Sequence, residues 1–532
     1  MTLTYFPRSG PDATYALLPG GRRVERLADI LRARAAATPD APAVIEPGRT
    51  TTFGELDARA SQVAQALFGD GVRSGDRVAY IGVNAPSFLE VLFGAAKLGA
   101  VATAVNNRLN PAEVAQILAD AEPAVLVLGA GDGELAPAEG TIPSLTRVVT
   151  TDGDAGTTGF EAWIADRPGV DPGVEPDPED TAVIFYTSGT TGLPKGIMLS
   201  GRNIGQALAT MHYEIELDGT SVAMAPIPYF HVSGFGLALV ALLNGSALLL
   251  EMATDPAALR DLLISRRVSH AALVPTLIQR LIALPGVAEE DWSALKYVVY
   301  GASPIPLPVI HAATTTIGCK FLQSYGLTES TGGVTMLNPG DHLPGPGEEH
   351  RLRSAGRPMP GVELKIVDPE TLEELAPGER GEVIIGGGHV MKGYWRRPAE
   401  TEATFLPDGW LRTGDGGSLD GDGYLYLHDR LKDMIVTGGE NVYPAEVESV
   451  LSGHPSVAEA AVIGVPSDRW GETPFAVVVP RPGTVLDPGE LIAWTRDRLA
   501  HFKCPTAVTV VDVLPRNASG KLLKNRLRAE HA

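Results

Sequence analysis

Apolar and polar positions change period several times along the chain. Short apolar runs at Ala43–Ile45, Arg77–Ile81 and Val101–Ala104 alternate with Phe53–Phe68 and Ser87–Leu98, whose apolar residues recur at helical spacing. Ala182–Tyr186, Ala247–Glu251 and Tyr297–Tyr300 continue the strand pattern, and this alternation predicts α/β architecture with parallel strands. The longest apolar stretch, Phe235–Leu243, is too short to span a bilayer and reads as a buried helix, followed after a polar turn by a buried strand at Ala247–Leu250. From about Gly361 the texture shifts to short strands at Val362–Val367, Gly381–Ile385 and Tyr424–Leu427, punctuated by Gly-Asp and Pro-Gly pairs, which predicts a small β-rich subdomain. After Lys432 the pattern mixes again, with helices at Pro444–Leu451 and Pro488–Leu499 and a strand at Ala460–Ile463. A boundary near Lys432 gives domains 1–431 and 432–532. The Gly-, Asp- and Pro-rich stretch Gly129–Asp180 is expected to form surface loops.

A length of 532 residues exceeds what one hydrophobic core serves, in keeping with two domains. The composition, 44% hydrophobic and 20% charged, is that of an ordinary globular protein. A formal net charge of -21 repels polyanions, so nucleic acid is not an expected partner. Cys319 and Cys504 are far apart and lack metal-ligand spacing, which argues against disulfides and zinc and for a reducing compartment. Residues 1–20 lack the charged start and apolar run of a secretory signal, so the expected location is the cytoplasm.

One segment carries chemistry by composition alone. The strand at 182–185 runs into Tyr186-Thr187-Ser188-Gly189-Thr190-Thr191-Gly192-Leu193-Pro194-Lys195. Its glycines admit conformations that point N–H groups inward, four hydroxyls add donors, and Lys195 adds a point charge, an arrangement that wraps a polyphosphate. It departs from the P-loop because Gly196, not Ser or Thr, follows the lysine. A flexible surface turn is the alternative on composition alone.

The loop resembles the phosphate-binding signature of the adenylate-forming (AMP-binding) superfamily, which includes acyl-CoA synthetases, luciferases and nonribosomal adenylation domains. Matching segments run in order from Thr52-Phe53-Gly54-Glu55-Leu56 to Lys521, so the resemblance covers essentially the whole chain and is strongest to the acid:CoA ligase branch. It implies a large multi-subdomain N-terminal domain with parallel-rich sheets and a small β-rich subdomain, followed by a smaller mobile α+β domain. The implied activity is ATP-dependent adenylation of a carboxylic acid and transfer of the acyl group to coenzyme A, with Mg2+.

The resemblance also assigns roles. In Tyr325-Gly-Leu-Thr328-Glu329 the ring packs on adenine, Thr328 bonds the α-phosphate and Glu329 holds magnesium. Gly301-Ala302-Ser303 forms the opposite adenine wall, and Asp415 with Arg430 clamps the ribose, a structural ion pair being the alternative for those two. Lys521 bridges the substrate carboxylate and the α-phosphate, offsetting their repulsion. Lys432 is the implied hinge, and Gly438-Gly439 lines a narrow thiol tunnel. Trp470 contacts the coenzyme, with a half-buried structural tryptophan as the alternative.

His231, after Phe230, marks the mouth of the acyl pocket; a satisfied core histidine is its alternative. It occupies the place where amino-acid-activating relatives carry an aspartate, which disfavours an α-amino acid. The implied lining of Ser233, Leu237, Val299, Ala302, Ser324, Gly326 and Gly333 is small or apolar and suits an acid with an uncharged fatty, alicyclic or aromatic body. Departures from the family pattern are Ser324, where many relatives have glycine, and Cys504, where some have a basic residue. Expected partners are a small carboxylic acid and CoA, with no integral membrane segment and a homodimer left open. The competing readings are a carrier-protein phosphopantetheine as acceptor, and a nucleotide-binding relative that is no longer an enzyme.

Overall fold

The computed structural model describes residues 3–4, 15–153, 157–187, 194–212, 214–301, 303, 305–430, 433–437, 440–467, 469–516 and 522–531. The chain divides into two compact units, Thr2–Leu364 with Ile385–Leu411, and Lys365–Ile384 with Arg412–Ala532.

Local signals explain the main helices of the larger unit. At the start of helix Phe53–Gly69, the Thr52 hydroxyl accepts from the Glu55 N–H at 3.2 Å and the Glu55 carboxylate accepts from the Thr52 N–H at 2.8 Å. Asn110 and Glu113 repeat this device for helix Pro111–Ala121, with proline at the first turn. Helix Val232–Leu243 has every residue from Leu237 to Leu243 buried, as an all-round apolar helix must.

These helices cover two sheets. One runs 393–394, 195–200, 181–187, 101–105, 77–81, 123–128, 147–150, 158–159, and its strands from 181–187 onward are parallel. The other runs 357–358, 332–337, 320–327, 297–301, 270–273, 222–224, 247–249, 42–46, 49–52, with parallel strands from 320–327 to 42–46 and antiparallel edges. Helix 232–243 meets the first sheet where the Phe235 ring lies edge-on to Phe185, 5.1 Å between centroids. This is the α/β architecture with parallel-rich sheets that the alternation predicted.

The stretch 129–180 differs from the expectation of surface loops. Strands Arg147–Thr150 and Thr158–Gly159 extend the first sheet, and helix Phe160–Ile164 buries Phe160, Trp163 and Ile164. Val149 on the first of these strands is buried as well, and the Trp163 indole donates to Asp70 at 2.8 Å.

In the smaller unit, strands Leu411–Leu419 and Leu425–Arg430 pair antiparallel. The long hairpin Val457–Ser467/Gly471–Pro480 carries the 507–510 strand parallel on its edge. Helices Pro444–Ser452 and Pro488–Arg496 share a core of Ile435, Val447, Leu451, Val462, Val478 and Leu491 with that hairpin. The expected boundary residue Lys432 lies outside the described residues.

Candidate active site

The glycine-rich segment connects two neighbouring antiparallel strands, Thr181–Thr187 and Lys195–Ser200, with Thr187 opposite Lys195 in register. A P-loop leads into a helix whose N-terminus supports the phosphates. Here the strand Lys195–Ser200 follows instead of a helix. Ser188, Gly189, Thr190, Thr191 and Gly192 lie outside the described residues, whereas Thr187 and Lys195 mark both ends.

Strands Tyr297–Gly301 and Lys320–Leu327 lie side by side and parallel, with Gly301 opposite Ser324. A Cβ on Gly301 would overlap the Ser324 carbonyl, and one on Gly326 would overlap that of Gly332. Glycine is therefore demanded at both positions by the backbone itself, quite apart from any base lying there. A register shift between Tyr325 and Gly326 ends the regular pairing and turns the chain into the short helical turn Thr328–Ser330. Ser330, fully buried, fixes this turn by accepting from the Leu327 N–H at 3.0 Å and donating to the Gly332 carbonyl at 2.8 Å. The Met391 N–H donates to the Glu329 carbonyl at 2.8 Å, and the Thr331 hydroxyl to the His389 carbonyl at 2.6 Å. Thr328 and Glu329 are thus presented half-buried on a pinned turn. Ser303 is exposed beyond Gly301; Ala302 lies outside the described residues.

The structure adds residues here that sequence reasoning missed. Tyr394 donates its hydroxyl to Glu329 Oε1 at 3.1 Å, and Lys195 Nζ stands 5.0 Å from the centre of the same ring. Lys195 also forms an ion pair with Glu400. Next to it, the Tyr186 hydroxyl donates to Asp120 Oδ2 at 2.7 Å, and Arg397 holds the other oxygen of that carboxylate at 2.9 Å. Burial first, then the Asp120 carboxylate, raise the Tyr186 pKa and keep the phenol protonated. An aromatic residue and an arginine right after a Gly-Tyr pair are the only traces of this cluster in the sequence.

His231 caps helix 232–243, its carbonyl accepting from the Phe235 N–H at 3.0 Å. Its ring packs against Phe230 at 4.6 Å and its Nε2 is buried without a hydrogen-bond partner. Burial, and then the positive charge of Arg108, push its pKa down to about 4, so the imidazole is neutral at pH 7.

In the smaller unit, Asp415 and Arg430 stand directly opposite each other on antiparallel strands, a juxtaposition that spacing alone does not give. The Asp415 N–H donates to the Thr413 hydroxyl at 3.0 Å, and the Arg412 guanidinium donates to Glu382, on the neighbouring strand, at 2.6 and 2.9 Å. Trp470 sits at the tip of the long hairpin, 46% exposed, with the Arg469 guanidinium 4.5 Å over its ring. Lys432, Gly438, Gly439 and Lys521 lie outside the described residues.

Among the described residues no group of three or more His, Cys, Asp or Glu is arranged to hold a metal ion. A magnesium ion does not need one, since it is commonly bound by one or two carboxylates plus substrate phosphates. Glu329, with one oxygen oriented by Tyr394, fits that donor set. Likewise, no helix among the described residues is long and apolar enough to cross a membrane.

Comparison with known proteins places this geometry in a class. Residues 31–395 match the AMP-binding enzymes, and residues 446–521 match the C-terminal domain of the same enzymes. The chain belongs to the AMP-binding enzyme family. It is 40% identical over 496 residues to a feruloyl-CoA synthase of Amycolatopsis sp, covering 93% of this chain and 97% of that protein. It is 39% identical over 496 residues to the fatty acid–[acyl-carrier-protein] ligase ScoC of Streptomyces coeruleorubidus, covering 92% and 93%. Its fold matches the ATP-bound MatB from Rhodopseudomonas palustris with a TM-score of 0.87 at 32% identity, covering 95% of this chain and 99% of that one.

Proposed function

We propose that this protein is an AMP-forming acid:CoA ligase acting on a carboxylic acid with an uncharged body. The observation that carries the reading is the junction of Lys195, at the end of the glycine-rich hairpin, with Glu329 through Tyr394. A phosphate-binding cation and a metal-binding carboxylate are what ATP with Mg2+ requires.

In the first step a substrate carboxylate oxygen attacks the α-phosphorus of ATP, the bond to the β-phosphate oxygen breaks, and pyrophosphate leaves. Thr187 and Lys195, with Ser188–Gly192 between them, receive the β- and γ-phosphates, and Thr328 donates to the α-phosphate. Glu329 would hold a magnesium ion, which would supply charge neutralisation for the departing pyrophosphate. Tyr325 and Gly301–Ser303 flank adenine, Asp415 and Arg430 hold the ribose, and Lys521 brings the two anions together. In the second step the CoA thiolate attacks the acyl carbonyl and AMP leaves; Gly438 and Gly439 line the thiol's path, with Lys432 as hinge and Trp470 at the coenzyme.

His231 suits the pocket mouth because a neutral ring admits an acyl group without offering it a charge. The small and apolar lining, among it Leu237 and Val299, supports fatty, alicyclic or aromatic acids. Two free cysteines suit a reducing, cytoplasmic setting. The test is acid-dependent exchange of pyrophosphate into ATP and CoA-dependent AMP release across acids graded by chain length and ring type. No signal with any acid would refute the reading. The similarity to ScoC favours a second reading, transfer to a carrier-protein phosphopantetheine. Turnover with CoA against holo carrier protein separates the two.

A further inference from the structure

Tyr394 links two site groups from distant parts of the chain. It lies on the short strand Gly393–Tyr394, which pairs with Lys195–Ser200 through Ile197, and it is 8% exposed. Its N–H donates to the Thr401 hydroxyl at 2.9 Å. The Trp395 N–H donates to the Gly196 carbonyl at 2.7 Å, and the Trp395 indole to the Asp120 carbonyl at 3.0 Å. The ring is therefore fixed from both ends, with its hydroxyl on Glu329 and its face toward Lys195.

We propose that Tyr394 is a positioning residue that orients the Glu329 carboxylate for a divalent cation while holding Lys195 for the terminal phosphates. The chemistry requires such a residue. An ammonium and a carboxylate that must serve one ligand tend to pair with each other, which neutralises both. Here Tyr394 takes one Glu329 oxygen as a neutral donor, and Lys195 finds its ion pair at Glu400 instead. The phenol fixes the plane of the carboxylate and leaves its second oxygen for a cation. The ring face attracts the ammonium without quenching its charge.

The proposal rests on the reading that Glu329 serves the metal and Lys195 the phosphates. The test is calorimetric binding of ATP to the full chain with and without Mg2+, no acid or CoA being present. Tyr394→Phe keeps the ring and loses the donor. It should leave metal-free ATP affinity unchanged and cut the Mg2+-dependent gain about tenfold, the scale of a hydrogen bond to a charged group. Tyr394→Leu should also weaken metal-free binding, because Lys195 loses its platform. Glu329→Gln should abolish the Mg2+-dependent gain, and adding Tyr394→Phe to it should cost nothing more. Equal weakening by Tyr394→Phe with and without Mg2+, or full additivity with Glu329→Gln, would overturn the positioning role. An intact gain in Glu329→Gln would instead overturn the metal assignment beneath it. Melting curves show that each variant is folded.

Discussion

Lys97 provides the sharpest test of what holds the larger unit together. Its side chain has no exposure, and Nζ lies 2.6 Å from Asp57 Oδ1, 2.8 Å from Ser61 Oγ and 3.1 Å from Asp171 Oδ2. The contacts tie helix Pro86–Leu98 to helix Phe53–Gly69, and through Asp171, which also takes Arg32 at 2.8 Å, to helix Leu27–Ala37. Lys97→Met keeps the stem volume and removes the charge. Breaking a buried ion pair by deleting one partner costs about 3–5 kcal/mol. The lower end applies, because Arg32 remains on Asp171 and the two aspartates keep 24% and 25% side-chain exposure. The expected loss is about 3 kcal/mol in urea unfolding followed by far-UV circular dichroism. Adding Asp57→Asn should restore part of it, since a neutral amide no longer strands a charge. The pH dependence gives a second check. The Arg32 and Lys97 cations hold the Asp171 pKa below the usual carboxylate range despite opposing burial. That stability is present above about pH 4, the unfolded value, and is lost as pH falls toward the depressed folded one. Lys97→Met should flatten this acid limb. A loss under about 1 kcal/mol, typical of exposed pairs, would refute the reasoning.

Gly326→Ala should abolish adenylation by at least about a hundredfold while the helical content stays native, because the new methyl overlaps the Gly332 carbonyl and displaces the Thr328–Ser330 turn; wild-type pyrophosphate exchange would refute this. Glu400→Gln removes the internal counterion of Lys195 and should lower KM for ATP several-fold, about the strength of a partly exposed pair; an unchanged or higher KM in steady-state kinetics contradicts it. His342 and His389 are held neutral by burial, each at about 4, so the unfolded chain takes up their protons first. Stability should therefore fall as pH drops from about 6.5 toward 4, and His389→Phe should flatten that slope in urea midpoints at pH 7, 6 and 5.

The secondary elements were largely legible. Helix Pro86–Leu98 and strands Arg77–Ile81 and Val101–Val105 fall where periodicity puts them, because each buries a continuous apolar face. The two strands and the helix within 129–180 were not, since Val149, Phe160 and Trp163 are scattered among turn-forming residues and are buried only by the folded chain. The proposed site was read as separate motifs. Neither the Asp415–Arg430 register nor the Tyr394 bridge has a sequence signature, because each joins positions that meet only across strand pairs.

The sequence by itself determined the α/β character with parallel-rich sheets and, through ordered motifs, the family; for the 186–195 segment it raised polyphosphate binding as an expectation. Hydrophobic period and turn chemistry are local properties, and a chain displays them before it folds. The tertiary structure decided what charged and polar groups do. Lys97, near the end of its helix, is fully buried between Asp57 and Asp171. Lys195 reads as a free phosphate ligand, yet it rests on Glu400 beside Tyr394. A charge takes its meaning from the dielectric and the partners around it, and both are products of packing.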